Sequence, residues 1–151
     1  MHKIILAGTE SSGKTTLCKA LSKHFNLPFS KEYAREYLDA LNRDYNQDDL
    51  LKIAKEQLQS ENGIQLLDTD LITLKIWSEY KYESCDSWIL TQIEKQKSEK
   101  RFYLLCKPDI PWEADTQREN RNNREEIFEI YKKEMACLRQ DYFIIEAKDR
   151  I

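Results

Sequence analysis

The sequence has little glycine, proline or histidine, with three, three and two residues respectively among 151. Its four cysteines are far apart and include no Cys-x-x-Cys pair, so a structural zinc site has no support. It also lacks a block of basic residues, and 24 Lys and Arg against 27 Asp and Glu give a formal net charge of -3. A dedicated nucleic-acid-binding protein is therefore disfavoured.

Long apolar runs are missing as well. The longest run near the start covers residues 4–7, which is too short for a signal peptide or a membrane span. Scattered cysteines in an acidic chain are typical of reduced thiols that pack in the interior. We therefore expect a cytoplasmic protein that does not associate with membranes.

The composition that remains is that of a folded domain. Hydrophobic residues make up 40% of the chain and charged residues 34%, with a mean hydropathy of -0.75. Chains usually divide into domains only at about twice this length. We expect one domain over residues 1–151, and nothing in the pattern indicates its oligomeric state.

Five short apolar segments alternate with helical patterns along the chain. The predicted strands cover residues 3–7, 27–30, 64–67, 101–106 and 142–145. Residues 46–49 are typical of a helix start, and Gly63 is predicted to end that helix as a left-handed stop. Residues 108–123 contain prolines and many polar side chains, and we predict a long loop or lid there. The alternation favours an α/β fold, a parallel sheet with helices on both faces.

The strongest motif lies between the first predicted strand and the first predicted helix. It fits the pattern G-x-x-x-x-G-K-[S/T] and consists of Gly8, Thr9, Glu10, Ser11, Ser12, Gly13, Lys14 and Thr15. Backbone N–H groups of such a loop face an anion, and the following helix adds its positive dipole end. Lys14 is expected to reach the outer phosphates of ATP, and the Thr15 hydroxyl to bind Mg2+. Thr16 completes the predicted nucleotide site.

A second ligand for Mg2+ is expected at the end of a neighbouring hydrophobic strand. Asp68 follows two leucines at such a strand end and is the predicted carboxylate. Asp70 lies two residues further on. It either shares the face of Asp68 and contacts the substrate, or it caps the next helix.

The motifs that define other nucleotide-binding classes are absent. A GTPase would carry Asp-x-x-Gly and Asn-Lys-x-Asp, but Ser60 stands three residues before Gly63 and the dipeptide Asn-Lys does not occur. A motor-type ATPase usually has a glutamate directly after the magnesium aspartate, and here Thr69 follows Asp68. Phosphoryl transfer to a small molecule remains, a reaction in which a lid excludes water.

Charged residues near the predicted lid and the second strand are candidates for the catalytic site. Arg118, Arg121 and Arg124 recur every three residues, so in a helix they either face the phosphates together or form a solvated charged face. Arg35 is similarly divided between a surface role and a substrate contact.

Glu32 directly follows the second strand, on the side where the phosphate loop opens if the strands are parallel. It either orients or deprotonates the acceptor hydroxyl, or it favourably begins the next helix. Among the aromatic residues, Trp77 fits a buried stripe. Trp112 lies in the predicted lid and is a candidate to stack on the substrate.

Four segments in order resemble the nicotinamide riboside kinase domain of NadR proteins: residues 8–17, 32–38, 68–77 and 107–113. Arg118, Glu119, Asn120 and Arg124 continue the likeness. It implies a P-loop kinase fold, with ATP and Mg2+ as cosubstrates. It also implies transfer of the γ-phosphate to the ribose 5'-hydroxyl of nicotinamide riboside, giving nicotinamide mononucleotide.

The likeness carries expectations about particular residues and about the rest of the chain. Lys14 and Thr15 would hold phosphates and metal, Asp68 the metal shell, and Glu32 and Arg35 the acceptor side. Two isolated histidines do not make the adenylyltransferase site of full NadR proteins, so we expect a kinase-only chain or a fragment without the family's C-terminal helix. The alternatives are a kinase for another nucleoside and a non-catalytic ATP-binding regulatory protein.

Overall fold

A parallel five-stranded sheet organises the computed structural model, which describes residues 2–9, 12–108 and 124–146. The strands are β1 (Lys3–Gly8), β2 (Phe29–Ser30), β3 (Leu66–Asp68), β4 (Arg101–Cys106) and β5 (Asp141–Ile145), in the order β2-β3-β1-β4-β5. The described helices are α1 (Lys14–Phe25), α2 (Tyr33–Ala40), α3 (Gln47–Ser60), α4 (Leu71–Tyr82), α5 (Ser87–Gln96) and α6 (Arg124–Leu138). Among these helices, none is long and apolar enough to cross a bilayer.

Both faces of the sheet are covered, because successive side chains of each strand point to opposite sides. On one face, Ile4 and Leu6 of β1 pack with Leu17 and Cys18 of α1. On the other face, alternate strand residues pack against the other five described helices in a larger cluster. The sheet therefore separates one helix from five.

The parallel strands bring three polar strand ends to the same edge of the sheet. Leu6 of β1 pairs with Asp68 of β3, and Ser30 of β2 pairs with Leu67 of β3. Gly8 ends β1, and in such folds ligands bind where the chain turns away from the carboxyl ends of the strands. The topology therefore gathers the loop after β1, the start of α2 and the start of α4.

Local sequence explains the ends of several helices. Asn46 and Asp49 form a capping box at the start of α3, in which each side chain accepts from the backbone N–H of the other residue. Asn26 ends α1 in the left-handed conformation, with φ of 53°. Gly63 has the predicted positive φ of 75°, but α3 ends at Ser60, so the prediction that Gly63 is its stop was wrong. The glycine shapes the turn towards β3 instead.

The predicted α/β fold, a five-stranded parallel sheet with helices on both faces, is confirmed. The second strand is shorter than predicted, since only Phe29 and Ser30 pair with β3. The third strand begins later than predicted and includes Asp68. The predicted lid lies outside the described residues apart from Pro108.

Candidate active site

The phosphate loop joins β1 to α1. Gly8 has φ of 144°, and a Cβ atom at this position would lie 2.8 Å from the Cys106 carbonyl oxygen, so a side chain does not fit. Gly13 precedes α1 with φ of 80° and gives no side-chain cap. The backbone N–H groups in the first turn of α1, which holds Lys14, Thr15 and Thr16, therefore remain available to an anion.

A cleft of about 550 Å3 opens beside this loop. Its walls come from the ends of β1 and β3 and from parts of α1, α2, α4 and α6. The residues that line it include Gly8, Lys14, Thr15, Glu32, Arg35, Asp68, Thr73, Ile76, Trp77, Tyr80, Ile127 and Tyr131. A cleft of this size is in the range of sites for small organic ligands.

Lys14 and Glu32 form an ion pair across the cleft, with Lys14 Nζ 2.5 Å from Glu32 Oε2. Glu32 is the residue before α2, yet its side chain does not cap that helix. Burial alone lowers the pKa of Lys14, but the carboxylates of Glu32 and Asp68 outweigh it and raise this pKa above its usual value. Lys14 is therefore fully charged at neutral pH.

Asp68 and Thr15 form the part of the site that suits a cation. Thr15 Oγ1 donates to Asp68 Oδ2 over 2.8 Å. The other oxygen, Oδ1, is buried and has no hydrogen-bond partner among the described residues. Burial raises the pKa of Asp68, and Lys14 only partly offsets this. A buried carboxylate oxygen with spare capacity next to a threonine hydroxyl fits Mg2+, which prefers oxygen ligands.

Asp70 does not line the cleft among the described residues. It is completely buried, and its Oδ1 accepts from the backbone N–H of Ile72 at the start of α4. Its Oδ2 accepts from Arg101 Nη2 over 2.8 Å and from the Tyr103 hydroxyl over 2.6 Å. Of the two alternatives that the sequence left open, the helix cap is therefore the one that this geometry favours.

The predicted arginines and the remaining loop residues are only partly described. Arg35 lies on α2 and lines the cleft. Arg124 is the first residue of α6 and is not among the described residues that line the cleft. Ser12 is buried in the phosphate loop. Glu10, Ser11, Trp112, Arg118 and Arg121 lie outside the described residues.

Sequence reasoning missed the wall that α4 and α6 provide. Trp77, predicted to lie in a core stripe, is half-buried and lines the cleft, and its Nε1 donates to the Tyr45 hydroxyl over 2.8 Å. Tyr131 of α6 is buried and also lines the cleft. One sequence signal indicated this wall: apolar residues occur around most of the circumference of α4. A helix with one face in solvent would have mostly polar residues on that face.

The fold and the phosphate loop define a P-loop nucleotide-binding domain of the kinase type. The chain belongs to the AAA domain family, which matches residues 3–150. The predicted likeness to the NadR kinase domain is confirmed by a curated relative, the trifunctional NAD biosynthesis/regulator protein NadR of Salmonella typhimurium. It is 27% identical over 130 residues, which cover 78% of this chain and 31% of that protein.

Two solved structures extend this similarity to three dimensions. A crystal structure of NadR protein in complex with NR has a TM-score of 0.71 at 25% identity, covering 95% of this chain and 45% of that one. A structure of NadR protein in complex with NAD and AMP-PNP has a TM-score of 0.69 at 25% identity, covering 97% and 45%. The chain therefore spans less than half the length of the NadR proteins that it matches.

Proposed function

We propose that the protein transfers the γ-phosphate of ATP to the ribose 5'-hydroxyl of nicotinamide riboside and releases nicotinamide mononucleotide. The observation that carries the proposal is the meeting of Lys14, Glu32 and Asp68 in one cleft beside a phosphate loop. The matches to NadR, one of them solved with NR and one with AMP-PNP, support this assignment of substrates.

On the nucleotide side, the chain supplies positive charge and oriented donors. The N–H groups at the start of α1 have no side-chain cap and would bind phosphate oxygens, and Lys14 adds a charge next to them. Thr15 and Asp68 would hold Mg2+, which neutralises charge that develops on the phosphates. Catalysis in this site rests on positioning and electrostatics, since no covalent intermediate is needed.

The Lys14–Glu32 ion pair links the two substrates. Phosphate oxygens carry more charge than one carboxylate and would take Lys14 from Glu32 when ATP binds. Glu32 would then be released to accept a hydrogen bond, and later the proton, from the acceptor hydroxyl. In this proposal ATP binding prepares the acceptor site, because the charge of Lys14 turns from Glu32 towards the phosphates.

The wall that α4 and α6 provide is suited to a flat ring. Trp77 and Tyr80 of α4 line it together with Ile76 and Ile127. Aromatic and branched apolar side chains bury a planar base well, whereas the charged residues Lys14 and Asp68 suit the phosphates and their metal ion. The acceptor is therefore proposed to be a nucleoside that enters with its sugar towards Glu32.

The test is consumption of ATP labelled in its γ-phosphate, with Mg2+ and a panel of nucleosides. We expect label transfer with nicotinamide riboside at a higher kcat/KM than with adenosine, cytidine, uridine or their deoxy forms. A higher kcat/KM with another base would make the protein a kinase for that nucleoside. ATP binding without transfer to any acceptor would indicate the regulatory alternative.

A further inference from the structure

Three hydroxyl groups lie in a row between α6 and the end of β3. Thr69 Oγ1 donates to Thr73 Oγ1 over 2.7 Å, and Thr73 Oγ1 lies 3.0 Å from the Tyr131 hydroxyl. Thr69 directly follows Asp68, Thr73 belongs to the first turn of α4, and Tyr131 belongs to α6. The row therefore connects α6 to the turn that carries the predicted metal ligand.

That turn is strained. Thr69 has φ of 78°, a left-handed conformation that is rare for β-branched residues. Such a conformation persists only where its surroundings hold it. Here the Thr69 N–H donates to the Leu6 carbonyl oxygen over 3.0 Å, and its hydroxyl donates to Thr73. Thr73 is therefore one of the hydrogen-bond partners that hold Thr69 among the described residues.

Tyr131 is well placed to fix Thr73. Its side chain is only 3% exposed and packs in the larger core cluster. Burial raises the pKa of Tyr131 to about 12, so its hydroxyl remains protonated at physiological pH. A phenylalanine at this position would fill the same space but would remove the hydrogen bond between Thr73 Oγ1 and the Tyr131 hydroxyl.

We propose that Tyr131 is a positioning residue: through Thr73 and Thr69 its hydroxyl holds the turn that aims the Asp68 carboxylate at the metal. This inference rests on the proposed function, because it takes Asp68 and Thr15 as the ligands for Mg2+. Thr15 holds Oδ2 of Asp68, and Oδ1 makes no hydrogen bond to another described residue, so the direction of the carboxylate depends on Thr15 and on the backbone on either side. Side chains that orient metal ligands in this way usually affect metal affinity strongly.

The experiment measures AMP-PNP affinity by calorimetry, once with saturating Mg2+ and once with EDTA. The variants are Tyr131→Phe, Thr73→Val and the double variant. Tyr82→Phe is the matched control, because the Tyr82 hydroxyl also makes a hydrogen bond from α4, to the Tyr45 carbonyl oxygen at 3.3 Å, and Tyr82 is not among the described residues that line the cleft. We expect the gain in affinity that Mg2+ provides to fall about 10-fold in each single variant and no further in the double variant.

The inference is overturned if Tyr131→Phe keeps the full gain, if it weakens binding equally with and without Mg2+, or if Tyr82→Phe loses as much. An equal loss would indicate general packing between α4 and α6. Wild-type protein that binds Mg2+ and AMP-PNP but phosphorylates no nucleoside would remove the proposed function and leave this inference standing. Wild-type protein that gains no affinity from Mg2+ would overturn the inference itself.

Discussion

Two carboxylates that lie two residues apart are equally buried but differ in their hydrogen-bond partners. Asp68 and Asp70 are 1% and 0% exposed. Asp70 has an arginine, a tyrosine hydroxyl and a backbone N–H bound to its two oxygens. Asp68 has one threonine hydroxyl and one oxygen without a partner among the described residues. Both oxygens of Asp70 therefore have hydrogen-bond partners, whereas Asp68 can still accept a bond from a ligand.

The same difference separates the two charged clusters to which these residues belong. The internal cluster comprises Asp70, Arg101, Tyr103 and Glu61, and Arg101 contacts both carboxylates. The cleft cluster comprises Lys14, Glu32 and Asp68, and it lies against open space. Buried charges are tolerated when they are paired, so a buried charge with an unused oxygen calls for a partner that comes from outside. The two clusters therefore differ in whether their buried oxygens all have hydrogen-bond partners, and not in how deeply they are buried.

The largest expected effect comes from removing the cation of the cleft cluster. Lys14→Ala should lower kcat for phosphoryl transfer by about 10^2- to 10^3-fold or more, because one preorganised charge at the phosphates is lost. Helical content measured by circular dichroism should not change. Lys75→Ala is the matched control, since Lys75 is similarly buried and pairs with Glu134 outside the cleft. Near-normal turnover in Lys14→Ala would remove Lys14 from the mechanism.

The internal cluster should respond in stability rather than in chemistry. Arg101→Met leaves the carboxylates of Asp70 and Glu61 buried without their main partner, and should lower the free energy of unfolding by about 3–5 kcal/mol in urea titrations. The control, Lys97→Met, breaks an exposed pair with Glu94 and should cost less than about 1 kcal/mol. Equal losses in the two variants would contradict the structural role of the internal cluster.

A third charged group, formed by Arg43 and Asp49, should give the smallest effect on stability. The Arg43 guanidinium, assisted by the Tyr37 hydroxyl and the Asn46 N–H, holds the pKa of Asp49 well below its usual range. Because the folded-state pKa is depressed, this stabilisation is present above the usual pKa of about 4 and is lost as the pH falls through it towards the folded value.

Asp49→Asn should therefore lower the melting temperature most near neutral pH, and the difference from wild type should narrow in acid. Thermal unfolding at a series of pH values measures it. A difference that does not depend on pH would mean that packing, and not the charge of Asp49, accounts for the change.

Those parts of the site that depend on neighbouring residues could be predicted from the sequence. The phosphate loop, Lys14, Thr15 and the strand-end Asp68 form local patterns, and the structure brings them together at one edge of the sheet. The strands were also predictable, since short apolar segments between helical patterns are buried on both sides. The ends of the strands could not be predicted in this way. The start of β2 at Phe29, for example, is set by its pairing with β3.

Contacts between residues that are far apart in the chain could not be predicted from the sequence. Nothing near Asp70 indicates that Arg101, 31 residues further on, would occupy one of its oxygens. Neither interpretation of Glu32 from the sequence includes its ion pair with Lys14, 18 residues away, because nothing near either residue indicates that contact. Trp77 and Tyr131 have the spacing of core residues, and only the packing of α4 against α6 decides that they also face a cleft.

The most direct measurement sets Asp68→Asn against Asp70→Asn, with thermal unfolding and Mg2+-dependent AMP-PNP binding recorded for both. Burial disfavours the charge of Asp68, so we expect Asp68→Asn to keep or raise the melting temperature while it loses the Mg2+-dependent gain in affinity. Asp70→Asn should lower the melting temperature and keep that gain. Parallel losses of stability and binding in both variants, or wild-type metal dependence in Asp68→Asn, would contradict the division into a ligand-binding and a structural cluster.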